Sequence, residues 1–268
     1  MNWNLWLWQI GAITRLELKR FVLARRWVGV YILALAPVFL MFVQSRLPGR
    51  QSELLNGLSE GYANLFQLFI VRFGLFIACA AVFSQLFRGD ILEKTLHLYL
   101  LTPARREIIA IGKYVAGVTL VATLFTASTI AAHLLAYSNN PAFNAFFFEG
   151  SGFAHLARYV TVTILASIAY GAIFLLVGLL FKNPGPPAFF LFLWESLNFA
   201  LPSVLQNLSI VHYLVPILAI HVDRGAFAVV TEPVSPFIGI PVLITGTLIF
   251  IAASGWVVRY TQITYSTD

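Results

Sequence analysis

A single cysteine, Cys79, stands in a chain of 268 residues, so no disulfide forms within it and no cysteine-based metal cluster is assembled. Charge is scarce as well. Asp, Glu, Lys and Arg make up 10% of the residues, against about 25% in soluble domains. A water-soluble fold would have to hide more apolar side chains than a core of this size encloses, which excludes the ordinary globular enzyme. Catalytic signatures are missing too. The stretch Ile111-Gly112-Lys113-Tyr114 has Glu107 where a phosphate-binding loop needs its first glycine, and no Ser or Thr follows the lysine. ATP hydrolysis through that motif is excluded. Neither HExxH nor GxSxG occurs, so metalloprotease and serine-hydrolase chemistry have nothing to stand on.

What the chain does have is apolar length, with 59% hydrophobic residues. Runs of about 20 apolar residues match the hydrocarbon thickness of a bilayer. Six are read here: Trp27–Gln44, Tyr62–Phe87, Ile108–Tyr137, His155–Phe181, Ala188–Leu205 and Phe237–Tyr260. The third is over-long, and its start is expected in the headgroup layer. The expected fold is an all-α polytopic membrane protein, a single transmembrane domain over 1–268 without internal repeats. Cys79, inside the second run, reads as a small apolar filler.

Placing the N-terminus in the cytoplasm puts twelve of the 17 Lys and Arg on that side, with Arg72 inside a run and Arg46, Arg50, Arg158 and Arg224 outside. That bias over short loops predicts both termini in the cytoplasm, and a bacterial plasma membrane is the expected location. The net charge of +6 then follows from topology and anionic lipid headgroups. The basic residues form no single patch, so a nucleic-acid partner is not expected. No cleavable signal peptide is expected either, because MNWNLWLW lacks a basic start and no small-residue cleavage site follows the first run.

Residues 1–26 read as an interfacial helix. Arg15, Lys19 and Arg26 share one sector of a helical wheel, while Ile10, Ile13, Phe21 and Ala24 gather elsewhere; Trp3, Trp6 and Trp8 suit the headgroup layer. Glu17 interrupts the apolar side, which favours a helix that partly faces protein. A topology anchor and a contact with a partner both remain open for it. Ser45–Gly61 and Ser138–Ala154 read as loops, the latter with Phe146, Phe147 and Phe148 dipping into the outer leaflet. Gln206–Pro236, preceded by Pro202 and broken by Pro216, reads as short helices folded back into that leaflet, where irregular backbone must be covered by protein or line a cavity. Lys182–Pro187 is a helix-stopping turn.

Two charges are expected at membrane depth. Arg72 and Glu195 should face protein or water, either joined as a structural ion pair or set in a substrate path. His212, His221 and Asp223 are the one set that suggests a metal or proton site; interfacial hydrogen bonding is the plainer reading, and no metal is assigned.

Between the second and third runs lies a charged insert, residues 88–107. Gly89-Asp90 is expected to end the second span, with Asp90 capping a new helix and Glu93 completing an acidic capping box. That helix would carry Leu92, Leu96, Tyr99 and Leu100, with Lys94, His97 and Leu98 toward other sides. Thr102-Pro103 stops it, and Arg105-Arg106-Glu107 opens the third span. A helix resting on lipid is one reading of this pattern.

The residues Asp90, Glu93, Thr95, Leu96, Leu100, Leu101, Thr102, Pro103, Arg106, Glu107, Ile108, Gly112 and Lys113 resemble the cytoplasmic insert of ABC-2 type permeases, with Lys94 where a small residue is common. The order of elements is similar as well: an interfacial helix, six spans, and outer-leaflet helices before the last. The resemblance implies the transmembrane subunit of an ATP-driven exporter, two permease copies working with two ABC ATPase subunits. ATP and magnesium would be bound by those partners, and no cofactor by this chain. The insert would be a coupling helix docked on the ATPase, through Asp90, Leu92, Glu93, Lys94, Thr95, Leu96, His97, Tyr99 and Leu100, with Arg105 and Arg106 beside it. A hydrophobic or amphiphilic substrate suits such a path. Two other classes stay open: an ion-coupled secondary transporter, which would show paired halves and interrupted helices, and a membrane assembly factor that transports nothing.

Overall fold

Lipid offers backbone N–H and C=O groups no partners, so a chain this apolar must satisfy them inside its own helices. A computed structural model of the protein describes residues 3–47, 55–92, 104–220, 222 and 234–260. Every regular element among them is helical. Helix α1 (Trp3–Leu23) comes first, shorter than the expected 1–26, and a 3-10 turn at Arg25–Trp27 leads into α2 (Val28–Ser45). Next come α3 (Leu55–Asn64), a π-helical stretch Leu65–Leu75, and α4 (Phe76–Leu92), which follow one another without a break. The helix therefore begins well inside the stretch expected to be a loop at Ser45–Gly61. Then follow α5 (Arg106–Tyr137), α6 (Gly152–Leu180) and α7 (Gly185–Ser196). Two short helices, α8 (Ser203–Gln206) and α9 (Ile210–Leu214), precede the last, α10 (Pro236–Tyr260).

Among the described residues, five helical segments are long and apolar enough to cross a membrane: Arg25–Ser45, Gly57–Asp90, Arg106–Tyr137, Gly152–Leu180 and Pro236–Tyr260. The protein is an all-α integral membrane protein. The fifth expected span, Ala188–Leu205, is corrected. Its helix, α7, starts with Pro186 and Pro187 in its first turn, where a missing N–H costs nothing. It then ends at Ser196, and a 3-10 turn at Asn198–Ala200 follows. Its 12 residues reach roughly 18 Å, well short of a hydrocarbon core of about 30 Å. Composition alone made the run look continuous. Pro202 cannot prolong it, and Glu195 is tied to chain that folds back beneath it.

The centre of the bundle is α4, α5 and α6. Their spanning segments are 56–61% buried, against 22% for those of α2 and α10, which sit at the periphery. Close approach in the centre depends on glycine. A Cβ on Gly117 of α5 would lie 2.7 Å from the ring of Phe83, and one on Gly171 of α6 2.6 Å from the same ring, so the phenyl group slots between two bare backbones. Two turns of α6 further on, a Cβ on Gly178 would meet the Ser84 backbone at 2.6 Å. Cys79 is fully buried in this core. At the opposite end from α1, residues 145–149 form a π-helical turn where a plain loop was expected; Phe146 packs on Tyr137 and His155, and Phe148 is exposed.

Candidate functional site

Four ionised side chains meet where α1 crosses the bundle. Lys113, on the second turn of α5, is fully buried inside an apolar run. A bare ammonium there would be prohibitively costly, so the fold supplies anions. Glu17 of α1 is hydrogen-bonded to Lys113 Nζ, Asp90 Oδ2 of α4 lies 2.5 Å from the same atom, and Nζ donates a third bond to the Leu86 carbonyl at 3.0 Å. Arg20, one turn along α1 and partly exposed, closes the set with 2.6 Å to Asp90 Oδ1. Among the described residues, two cations face two carboxylates in this cluster. The ring of Phe87 lies 5.5 Å from the ammonium.

Neighbouring contacts fix α1 in the same place. Thr14 Oγ1 donates to the Gly112 carbonyl at 3.2 Å, and a Cβ on Gly112 would sit 2.9 Å from Cβ of Ile13. Glycine at 112 is thus what lets α1 lie flat on α5. The Gly-Lys pair of the sequence pattern has a local meaning: the first residue opens the space and the second makes the ionic contact. Both ends of the 88–107 insert are held by this assembly. At its entry stands Asp90. At its exit, the Arg105 guanidinium lies 5.5 Å over the ring of Trp6 in α1, and Arg106 Nη1 donates to the Arg259 carbonyl of α10 at 3.2 Å.

Helix α4 runs through Asp90 to Leu92, past the helix start expected at that residue, while the membrane-spanning segment ends at Asp90 as expected. The Asp90 carboxylate holds Lys113 and Arg20, and Glu93 of the expected capping box lies outside the described residues. Glu93, Lys94, Thr95, Leu96, His97, Tyr99 and Leu100, the body of the expected coupling helix, lie outside the described residues, as does the side chain of Leu92.

Arg72 and Glu195 come close together without pairing. Both Glu195 oxygens are occupied: the Ile210 and Val211 amides donate at 2.9 and 3.2 Å, Ser209 Oγ at 2.8 Å and the Tyr170 hydroxyl at 3.2 Å. The glutamate, 5% exposed, thereby caps the N-terminus of α9 from another helix, while Ser209, in the capping position, gives its hydroxyl to Glu195. Arg72, on the π-helical stretch, reaches the carbonyl of Ser196 at 3.5 Å, one residue beyond the glutamate. His212 is buried on α9, whereas His221 and Asp223 lie outside the described residues. Among the described residues no group of three metal-binding side chains forms.

No protein-family model and no curated protein sequence matches this chain. The functional reading therefore rests on its residues and geometry. The Lys113–Glu17 contact was missed in the sequence, though a signal was present: a lysine inside the third apolar run and a glutamate on the apolar side of α1 are both out of place, and opposite charges so placed explain each other.

Proposed function

We propose that the chain is the transmembrane permease subunit of an ATP-driven exporter of the ABC-2 type, working as a dimer with separate ATPase subunits, both termini cytoplasmic. The observation that supports this most is the anchoring of the 88–107 insert. A segment that only turned the chain around would need no buried ionic clamp at its entry and no guanidinium contacts at its exit. Here Asp90 joins the entry to α1 and α5, and Arg105 and Arg106 join the exit to α1 and α10. A push on the insert by an ATPase would then be delivered to four helices at once. The substrate path would be apolar, suiting a hydrophobic or amphiphilic cargo, and ATP and magnesium belong to the partner.

One observation favours a second reading. An interrupted helix with a buried carboxylate and a nearby arginine is also the pattern of an ion-coupled transporter. Against it, Glu195 already has four donors and serves as a cap.

The deciding experiment is affinity purification of the full chain from native membranes, comparing wild type with Leu96→Glu. In the exporter reading the wild type brings down an ABC ATPase, and the variant inserts normally but loses it, because an unpaired charge is forced into the contact at a cost of several kcal/mol. Normal insertion with an unchanged ATPase yield in the variant, or no ATPase with the wild type, overturns the reading. Membrane uptake driven by a proton gradient and abolished by Glu195→Gln would instead support the ion-coupled alternative.

A further inference from the structure

A groove of about 850 Å³ runs between α1 and α5, within the size range of small-ligand sites, roughly 300–1,000 Å³. Its floor follows one ladder of α1, Leu7, Gly11, Arg15 and Lys19, each four residues after the last and so stacked on one face. Leu18 of α1 and Val115 of α5 add apolar walls. The charges of α1 are divided between two jobs. Glu17 and Arg20 turn into the ionic cluster, whereas Arg15 and Lys19 are exposed at the groove and have no ion-pair or hydrogen-bond partner among the described residues. Two adjacent cations beside an apolar trough, on a helix that also exposes Leu5, Leu7, Trp8 and Leu16, suit a ligand that is anionic at one end and hydrocarbon at the other.

We propose that this groove binds one anionic phospholipid of the adjoining leaflet, its phosphate between Arg15 and Lys19 and an acyl chain lying over Gly11 against Leu7, Leu18 and Val115. The charge complementarity selects a lipid headgroup, and the uncharged walls select its chain. Gly11 leaves the trough open: a Cβ there meets nothing within 4 Å. The proposal holds whether or not the chain is a permease, since it needs only a membrane around α1.

Native mass spectrometry of the full chain, delipidated in detergent and titrated with phosphatidylglycerol or phosphatidylcholine, tests it. The wild type should bind phosphatidylglycerol the more tightly, and Arg15→Gln with Lys19→Gln should weaken that binding roughly 30-fold, a factor of about five for each cation. Gly11→Leu keeps both charges and fills open space, so it should remove the bound lipid without disturbing the fold. Arg25→Gln with Lys182→Gln removes the same charge from exposed positions elsewhere and should leave binding unchanged. Equal affinity of the wild type for the two lipids overturns the proposal; that is also the result expected if a partner protein occupies the groove. Undiminished phosphatidylglycerol binding by Gly11→Leu overturns it as well, because the headgroup would then be held without the groove.

Discussion

Lys113 Nζ lies 2.5 Å from Asp90 Oδ2, joining the start of α5 to the end of α4 at full burial. The contact fixes the base of the 88–107 insert against two core helices, and through Glu17 it adds α1. Ion pairs of this kind add little net stability over an apolar core, yet they are strongly destabilising when one partner is removed.

Lys113→Met should therefore cost about 3–5 kcal/mol, because it removes the buried cation and leaves the Glu17 and Asp90 carboxylates with only the partly exposed Arg20 of this cluster. Adding Glu17→Leu and Asp90→Leu should recover much of that loss. Thermal unfolding of the purified protein in detergent measures both; a triple variant no more stable than Lys113→Met would show that the cluster is not the source.

The contact of α1 with α5 rests on Gly112. Gly112→Val should push Ile13 and the helix away, by overpacking of about 1–3 kcal/mol, and should weaken the Lys113–Glu17 contact with it. Cysteine cross-linking between α1 and α5 is the readout: an undiminished yield in Gly112→Val would mean that α1 does not depend on the close approach.

Phe83 makes a different kind of prediction. Gly117→Ala or Gly171→Ala should each destabilise by about 1–3 kcal/mol, since a methyl group would land 2.6–2.7 Å from the ring. In a Phe83→Leu background each glycine change should cost less. A double-mutant cycle with zero coupling would count against the slotted ring.

Glu195→Leu should leave the Ile210 and Val211 amides and two hydroxyls without an acceptor, each worth roughly 1–3 kcal/mol when buried and unmet, though not additively. Glu195→Gln keeps one carbonyl acceptor and should be milder. Replacing Arg72 together with Glu195 should give no rescue, because the two are not paired. Protease sensitivity of the 198–217 segment reports the outcome, and a more stable double variant would restore the ion-pair reading.

Much of the architecture was legible in the chain. The apolar runs over α2, α5, α6 and α10 came within a few residues of the helices, because lipid forces each spanning helix to meet its own backbone needs and apolar length records that directly. The run at Ala188–Leu205 misled for the same reason. Apolar composition permits a span, but Glu195 and Pro202 stop the helix, and what Glu195 binds lies 14–16 residues further on. Asp90 shows a second limit: its position beside Gly89 reads locally as a cap, and nothing local announces the cations that reach it from α1 and α5.

Membrane residence, helical class and the place of most spans were thus determined by the sequence alone, as properties of composition and of neighbours along the chain. Only the tertiary structure decided which charges meet. Lys113 finds Glu17 across 96 residues and Arg20 finds Asp90 across 70, partners that no local pattern specifies. Burial in a low-dielectric core makes an unpartnered charge intolerable, and the packing of α1 on α4 and α5 supplies the partners.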